Sequence, residues 1–302
     1  MLADTRPEPT RVRAREHLAG RFAPSPTGPL HMGSLVTALA SYCDIKQRGG
    51  SWHVRIDDID PQRAGVGALE HISQALAAHG LLGDAPIRYQ SQRLANYRTA
   101  CQQLTALCYY CNCSRRSLQG LRLYPGNCRH KLTYAPDHTL RILADQQPRS
   151  FEDGCKGRHD FVATADFGDI IIWRRDGLVT YHLATAHDDA LDYSHVLRGE
   201  DLFAMTAPQI FLMDKLNLKP PQYAHIPVLT YADGTKLSKQ THAPALNSAT
   251  PVANLGRALW HLGQLAPPKG ASVAQCLEWA VAHWQLDVVP TQLAPFREAD
   301  YR

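Results

Sequence analysis

The stretch GRFAPSPTGPLHMGSL at 20–35 constrains the fold most, because it joins a short strand to a helix through a turn rich in proline and glycine. Helical spacing follows over 34–47, then an alternating strand in WHVRI at 52–56 and a second helix over 67–82. This order predicts a parallel sheet with right-handed crossovers. A connection of this kind turns the free amide groups at the start of the helix towards a ligand such as phosphate.

The later segments are less regular. A helix is predicted over 92–108, and the pattern then breaks into cysteine, glycine and proline over 109–160, which we interpret as an insertion. The run DIIIWRRDGLVTYHLA predicts a hairpin around Asp176 and Gly177. The next run, SHVLRGEDL, predicts a strand, and a helix is predicted to begin at Thr206. The run YAHIPVLT predicts another strand, and two amphipathic helices follow it.

Composition bounds the class of protein. The 302 residues carry a net charge of +4, which permits an anionic partner such as RNA without requiring one. Because no apolar run approaches the roughly 20 residues of a membrane span, we expect no membrane segment and a cytoplasmic protein. In a reducing compartment, four cysteines within 101–113 and a fifth at Cys128 favour a metal site over disulfides.

Two distant stretches could bind a nucleotide. His31 and Ser34 lie three residues apart at the start of a predicted helix, so both can face one ligand, and Gly33 lets its backbone approach. The loop DGTKLSKQ places Lys236 and Lys239 around a serine, and flexible ammonium groups suit the charge on a leaving pyrophosphate. Taken alone, each has a plainer explanation: a proline-rich connection with a surface histidine, and a pair of solvated lysines.

Together the two stretches resemble the HIGH and KMSKS signatures of class I aminoacyl-tRNA synthetases, written here as HMGS and KLSKQ. The runs RFAPSPTGPLHMGS, RIDDID and YHLATAHDDALDYSHVLRGEDL are similar to the glutamyl branch of that family. The resemblance covers roughly residues 19–245 and implies an enzyme that joins ATP and glutamate into an acyl-adenylate.

The resemblance also implies roles for single residues. His31 and Lys239 would be catalytic, the first contacting the ATP phosphates and the second stabilising the departing pyrophosphate. Gly33, Ser34 and Lys236 would complete the ATP site, and Mg²⁺ is expected to accompany ATP.

Glutamate offers two carboxylates and one ammonium group. Arg21 and Arg198 are the candidates for the carboxylates, and Ser25 and Tyr181 can add hydroxyl hydrogen bonds. The ammonium is expected to meet Asp57, where the family carries a glutamate one methylene longer, so the contact must be drawn closer or bridged by water. Either arginine could instead contact tRNA phosphate or solvent, and Asp57 could be a capping acid.

The cysteine-rich insertion could hold zinc through Cys111, Cys113, Cys128 and one further ligand. Chemistry alone favours His130 as the fourth ligand. The spacing C-x-C followed by Y-x-x-x-C, however, resembles the zinc insertion of one subfamily, the glutamyl-queuosine tRNA(Asp) synthetases, in which the tyrosine is a ligand. The resemblance therefore implies one structural zinc with Tyr124 as fourth ligand and His130 as the fallback. Unliganded thiols are the alternative, since the C-x-C spacing is short.

The subfamily resemblance implies an unusual activity. Its members activate glutamate without tRNA and transfer it to the cyclopentene-diol of queuosine in the anticodon of tRNA(Asp). Only 246–302 follow the lysine loop, so we expect a small helical subdomain and no anticodon reader, and we expect a monomer. A cluster of basic residues in the insertion could hold RNA phosphates or be a solvated face: Arg115, Arg116, Arg122, Arg129 and Lys131. The alternatives are a minimal synthetase charging a tRNA 3′ end, a silent tRNA-binding relic and a nucleotidyltransferase.

The expected fold is therefore α/β, a Rossmann-type class I synthetase domain with a zinc-containing insertion and a small C-terminal helical subdomain. Its expected parts are a flexible leader at 1–16, the first catalytic half at 17–108, the insertion at 109–160, the second half with the KLSKQ loop at 161–245, and the subdomain at 246–302.

Overall fold

The structure is a computed structural model that describes residues 18–130, 137–237 and 243–297. Its strands are β1 Ala19–Phe22, β2 Ser51–Ile56, β3 Arg88–Tyr89, β4 Cys108–Cys111, β5 Thr139–Ile142, β6 Pro148–Asp153, β7 Gly157–Val162, β8 Ile171–Trp173, β9 His195–Gly199 and β10 Gln222–Ile226. Its α-helices are α1 Met32–Gln47, α2 Ala68–Ala78, α3 Leu94–Gln103, α4 Ala163–Asp166, α5 Tyr181–Asp192, α6 Thr206–Lys215, α7 Pro251–His261 and α8 Val273–Ala282.

The parallel sheet expected from the first hundred residues is present. β2 pairs in parallel with β1 on one side and β3 on the other, and α1 crosses between β1 and β2. Apolar residues of α1 such as Leu35 and Leu39 are buried against these strands, which accounts for the helical spacing seen in the sequence.

The second half of the sheet begins beside β1. The Ser194 N–H just before β9 donates to Ala19 O in β1 at 2.9 Å, and β9 continues in parallel to β10 and β6. Because the strand order reverses where β1 meets β9, this junction is the switch point at which open α/β sheets bind ligands.

The strands of the predicted insertion at 109–160 belong to two different sheets, one of which also includes β8. β4, β5 and β8 form an antiparallel sheet, whereas the β6–β7 hairpin joins the edge of the main sheet through β10. Part of the segment that the sequence marks as irregular therefore belongs to the main sheet.

The chain after the lysine loop forms the two expected helices, α7 and α8, which pack on α1 in one apolar core. Within the three described stretches, none of the helices combines the length and the apolar character that crossing a membrane would require.

Two element predictions are wrong. The helix over 92–108 ends at Gln103, and Cys108 opens strand β4. The second strand of the hairpin around Asp176 is reduced to a single bridge between Trp173 and Val179, because α5 begins at Tyr181. Of the aromatic and β-branched residues that indicated a strand there, Val179 and Thr180 precede the helix and Tyr181 is its first residue, a case of tertiary packing overriding local propensity.

Candidate active site

His31 is the N-cap of helix α1, so its imidazole lies at the N-terminus of that helix. Its Nδ1 accepts the Ser34 backbone N–H at 3.3 Å, and Ser34 Oγ in turn accepts the His31 N–H at 3.5 Å. Since Nδ1 is an acceptor, a neutral His31 carries its proton on Nε2, which makes that nitrogen a donor suited to a phosphate oxygen. A Cβ added to Gly33 would lie 3.2 Å from the His31 ring, so the glycine gives the imidazole its room.

The two ends of the lysine loop lie close to the start of α1. Leu237 N–H donates to Leu229 O at 2.8 Å on one side of the loop, and Leu246 N–H donates to Leu30 O at 2.8 Å on the other. Lys236 forms an exposed ion pair with Asp201 at 2.6 Å. Lys239 lies outside the described residues, so its place in the site stays a prediction.

Four buried charged residues form one network at the ends of β1 and β2. Arg21 binds Asp189 through Nε at 3.2 Å and Nη2 at 2.8 Å, and Arg55 reaches the same carboxylate through Nη1 at 2.7 Å. Arg55 also binds Asp57 through Nε at 2.6 Å. Burial works to raise the pKa of Asp189, but the charges of the two arginines hold it well below its usual range.

Asp57 responds differently within the same network. Burial raises the pKa of its carboxyl, and the Arg55 guanidinium offsets only part of that shift. Asp57 is therefore the less firmly ionised of the two carboxylates, and an incoming ammonium group would stabilise its charged form.

Arg198 is buried on β9 and is held by neutral groups. Its Nε donates to His225 Nε2 at 2.9 Å and its Nη2 donates to Thr206 Oγ1 at 2.9 Å, while its guanidinium lies 5.2 Å from the centre of the Tyr223 ring. Among the residues that the structure describes, Arg198 forms no ion pair, and its Nη1 is buried without a hydrogen-bond partner. A buried guanidinium with an unused donor indicates a place for an anionic ligand.

Further orphaned polar atoms lie close to Arg198. The Tyr223 hydroxyl and His182 Nδ1 are both buried without a hydrogen-bond partner. Burial, followed by the charge of Arg198, lowers the pKa of His182 to about 4, so this imidazole is neutral at pH 7. Such a concentration of unsatisfied groups is suited to binding a polar ligand.

The remaining glutamate candidates flank this region. Tyr181 opens α5 and lies near Arg21 and Tyr223. Ser25 is exposed in the turn that follows β1, where its carbonyl accepts the Thr27 N–H at 2.9 Å. The structure thus brings Arg21, Asp57, Tyr181 and Arg198 to the same junction of β1, β2 and β9.

Sequence reasoning missed the partners of these side chains. Arg55 and Asp189 hold Arg21 and Asp57, and His225 with Asp153 holds Arg198. The paired aspartates before β9 gave a usable signal for Asp189, since two carboxylates in an apolar helix are unusual. Nothing local could have joined Asp153 to His225, which is 72 positions further along the chain.

The cysteine cluster of the insertion has the geometry of a tetrahedral metal site. The sulfur atoms of Cys111, Cys113 and Cys128 lie within 4.8 Å of one another, and the Cys113–Cys128 distance is 3.7 Å. The Tyr124 hydroxyl lies 3.4 Å from Cys111 Sγ and 3.6 Å from Cys113 Sγ. Because Zn–S bonds of about 2.3 Å place tetrahedral sulfurs about 3.8 Å apart, the four groups fit one ion.

Two observations favour Tyr124 over His130 as the fourth group. His130 is exposed and its ring does not join the cluster of close ligand atoms. The Arg141 guanidinium lies 4.0 Å from the centre of the Tyr124 ring and holds it over the thiols. Burial works to raise the pKa of Cys111, but its hydrogen bonds with Tyr124 and Arg141 lower it to about 6, close to the thiolate form that a metal needs.

Part of the basic cluster in the insertion is used internally. Arg129 pairs with the buried Asp169 at 2.7 Å, and Arg122 donates to Ala165 O at 2.7 Å. Arg115 and Arg116 are exposed, and Lys131 lies outside the described residues. An RNA contact is therefore best sought at Arg115 and Arg116.

Comparison with known proteins agrees with this geometry. A family model for the catalytic domain of class I tRNA synthetases (E and Q) matches residues 17–254. A glutamyl-Q tRNA(Asp) synthetase of Methylococcus capsulatus is 44% identical over 279 residues, which are 90% of this chain and 92% of that protein. The chain belongs to the glutamyl-Q tRNA(Asp) synthetase family.

Other members of this family match over similar lengths. The glutamyl-Q tRNA(Asp) synthetase of Neisseria meningitidis serogroup C is 42% identical over 90% of this chain and 97% of its own length. A glutamate tRNA ligase of Elizabethkingia meningosepticum, solved in complex with its amino acid, superposes with a TM-score of 0.74 over 94% of this chain and 68% of its own, at 24% identity. The predicted class I α/β fold is confirmed.

Proposed function

We propose that the protein activates L-glutamate with ATP, without tRNA, and transfers the glutamyl group to queuosine in the anticodon of tRNA(Asp). The observation that carries the proposal is the 44% identity, over nine-tenths of the chain, to a protein that bears the name of this activity. The buried Arg198 with its unused donor, beside the capped His31 helix, supports the glutamate and ATP parts independently.

In the activation step, a carboxylate oxygen of glutamate attacks the α-phosphorus of ATP in line. A new O–P bond forms, the bond to the bridging oxygen breaks, and pyrophosphate leaves with the electron pair. His31 Nε2, the Gly33 amide at the start of α1 and the Ser34 hydroxyl would bind the phosphate oxygens, while the Ser34 N–H stays on His31. Lys239, with Lys236 in support, would follow the charge onto pyrophosphate, and Mg²⁺ would accompany ATP.

Charge balance favours a dicarboxylic amino acid. Arg21 and Arg55 are neutralised by Asp57 and Asp189, whereas Arg198 adds one unpaired positive charge. Glutamate carries one net negative charge, so its carboxylates can meet Arg198 and the outer edge of Arg21 while its ammonium meets Asp57. Hydroxyl groups of Tyr181 and Ser25 would complete its recognition.

In the transfer step, a hydroxyl of the cyclopentene-diol attacks the carbonyl carbon of glutamyl-adenylate. An ester bond forms, the bond between that carbon and the AMP oxygen breaks, and AMP leaves with the electron pair while the hydroxyl proton passes to solvent. The proposed RNA partner brings an anticodon loop rather than a 3′ end to the site, and exposed arginines of the insertion would contact its phosphates. We further propose that the protein acts as a monomer in the cytoplasm.

We also propose that Cys111, Cys113, Tyr124 and Cys128 hold one structural zinc ion. Thiolates and a phenolate in a closed tetrahedral set suit Zn²⁺ better than hard cations that prefer oxygen. When bound, the ion would order a segment that has few apolar side chains of its own.

The activation step is tested by ATP–pyrophosphate exchange in the absence of tRNA. The protein should exchange label when L-glutamate is present and not when L-aspartate replaces it. His31→Ala and Lys239→Ala should each lower exchange by about a hundredfold or more, as expected for groups that stabilise transition-state charge. An absence of glutamate-dependent exchange in the unaltered protein would refute the proposal.

A further inference from the structure

Arg198 is fixed by a chain of buried side chains that reaches back into the insertion. Asp153, the last residue of β6, binds His225 Nδ1 through Oδ2 at 2.5 Å, and both side chains are fully buried. His225 Nε2 in turn lies 2.9 Å from Arg198 Nε and 3.1 Å from Thr206 Oγ1. The chain therefore runs from a carboxylate through an imidazole to the guanidinium.

The direction of these hydrogen bonds determines the tautomer of His225. A guanidinium can only donate, so His225 Nε2 must be unprotonated to accept from Arg198. The imidazole proton is then on Nδ1, where it donates to Asp153. Burial lowers the pKa of His225 more than the bond to Asp153 raises it, and the nearby charges of Arg198 and Arg21 lower it further, which keeps the ring neutral at pH 7.

The hydrogen bonds that run from Asp153 through His225 leave one edge of Arg198 for a ligand. Nε is occupied by His225 and Nη2 by Thr206, while Nη1 is buried without a partner. Tyr223 stacks on His225 and lies beneath the guanidinium, so the arginine cannot turn away from this position without breaking several contacts.

We propose that Asp153 and His225 are positioning residues for glutamate recognition, which fix the orientation of Arg198 so that its Nη1 edge meets a substrate carboxylate. The inference rests on the proposed function, because it takes Arg198 as a glutamate ligand. It assigns a role in substrate binding to the β6–β7 hairpin, since Asp153 is the last residue of β6.

Asp153→Asn tests the tautomer with little change of shape. The asparagine Oδ1 can still accept the backbone N–H groups of Cys155, Lys156 and His225, which Asp153 Oδ1 accepts at 3.0–3.1 Å. Its amide group would instead donate to His225 Nδ1, which moves the imidazole proton to Nε2 and sets a donor against Arg198. We expect KM for glutamate in ATP–pyrophosphate exchange to rise about tenfold or more, with KM for ATP changed less than about twofold.

A pair of His225 variants provides the second arm. In His225→Gln the amide oxygen can reach the position of Nε2 and accept from Arg198, whereas in His225→Asn the shorter amide can reach only Asp153. The glutamine variant should therefore keep a KM for glutamate nearer that of the unaltered protein than the asparagine variant does. Asp160→Asn, in an exposed ion pair on β7 of the same hairpin, is the matched control and should change neither KM.

The outcomes separate this inference from the proposed function. A rise in KM for glutamate alone, which is smaller in His225→Gln than in His225→Asn, supports the positioning role of Asp153 and His225. Equal KM values for glutamate in the Asp153 and His225 variants and in the unaltered protein would overturn it, as would parallel loss of glutamate binding, ATP binding and thermal stability. Absence of exchange in the unaltered protein would instead refute the proposed function.

Discussion

Arg21 and Arg198 have the same side chain but opposite electrostatic situations. Arg21 shares the carboxylate of Asp189 with Arg55, so its charge is already balanced inside the protein. Arg198 is surrounded by neutral acceptors and keeps its charge available. At the scale of single residues, the first helps to build the buried charge network at the ends of β1 and β2, and the second is the better candidate for selecting an anionic substrate.

Asp189→Asn should destabilise the fold strongly, because it leaves two buried guanidinium groups with one carboxylate fewer. We expect the free energy of unfolding at pH 7 to fall by about 3–5 kcal/mol. Urea unfolding followed by circular dichroism measures this change, and the exposed Asp160→Asn is its control.

The loss of stability caused by Asp189→Asn should also depend on pH. The pKa of Asp189 is lower in the folded protein, so its contribution to stability is complete above the unfolded pKa of about 3.9 and declines as pH falls below it. The difference in the free energy of unfolding between Asp189→Asn and the unaltered protein should be smaller at pH 3 than at pH 7 by about 1 kcal/mol. A difference that stays constant between the two pH values would contradict this account of the network.

At the scale of elements, the first turn of α1 combines a helix cap and a phosphate donor in one residue. His31 stabilises the helix through Nδ1 and thereby leaves Nε2 as the protonated nitrogen. The helix also needs a residue without a side chain at Gly33, because a Cβ there would press on the imidazole.

Gly33→Ala should lower the exchange activity without lowering the thermal stability. Its Cβ would come 3.2 Å from the His31 ring and displace it by a few tenths of an ångström, so we expect exchange activity to fall by about tenfold. Thermal stability should not fall, because alanine is favoured over glycine in a helix by up to about 1 kcal/mol.

Gly256→Ala in α7 is the matched control. It is also a helical glycine, but among the described residues no atom beyond its chain neighbours and its own helix backbone lies within 4 Å of the added Cβ, so the variant should gain stability without losing activity. Equal activity of the two glycine variants would show that the room around His31 is unimportant.

The cysteine-rich insertion gives a third test at this scale. Tyr124→Phe should lower the affinity for zinc by at least about tenfold, since even an outer partner of a metal ligand contributes that much. His130→Ala should leave the affinity unchanged, because His130 lies outside the cluster. Zinc per chain after dialysis against graded chelator measures both, and the reverse pattern would make His130 the ligand.

Elements with a clear period were predictable from the sequence, and long-range partners were not. The β1–α1–β2–α2 pattern and the motif residues His31 and Arg198 followed from spacing and resemblance. The sequence favours a strand at Tyr181 because aromatic and β-branched neighbours favour one, but α5 begins at this residue. Asp153 and Arg55 carried no local signal, since their importance depends on partners brought near only by the folded sheet.

At the scale of the whole molecule, the site is assembled from segments that are far apart in the chain. The β1–α1 turn supplies His31, β9 supplies Arg198, and the β6–β7 hairpin of the insertion supplies Asp153. Helices α7 and α8 cover the outer side of α1 in the shared core. The β6–β7 hairpin and the C-terminal helices therefore both contact elements that carry the site.

The proposed function sends the activated glutamate to queuosine rather than to a tRNA 3′ end. The most direct measurement is transfer of labelled glutamate from ATP-activated enzyme to tRNA(Asp) with queuosine, compared with the same tRNA carrying unmodified guanosine at that position. Label should be incorporated into the queuosine-containing tRNA alone. Equal incorporation into both tRNAs would contradict the assignment.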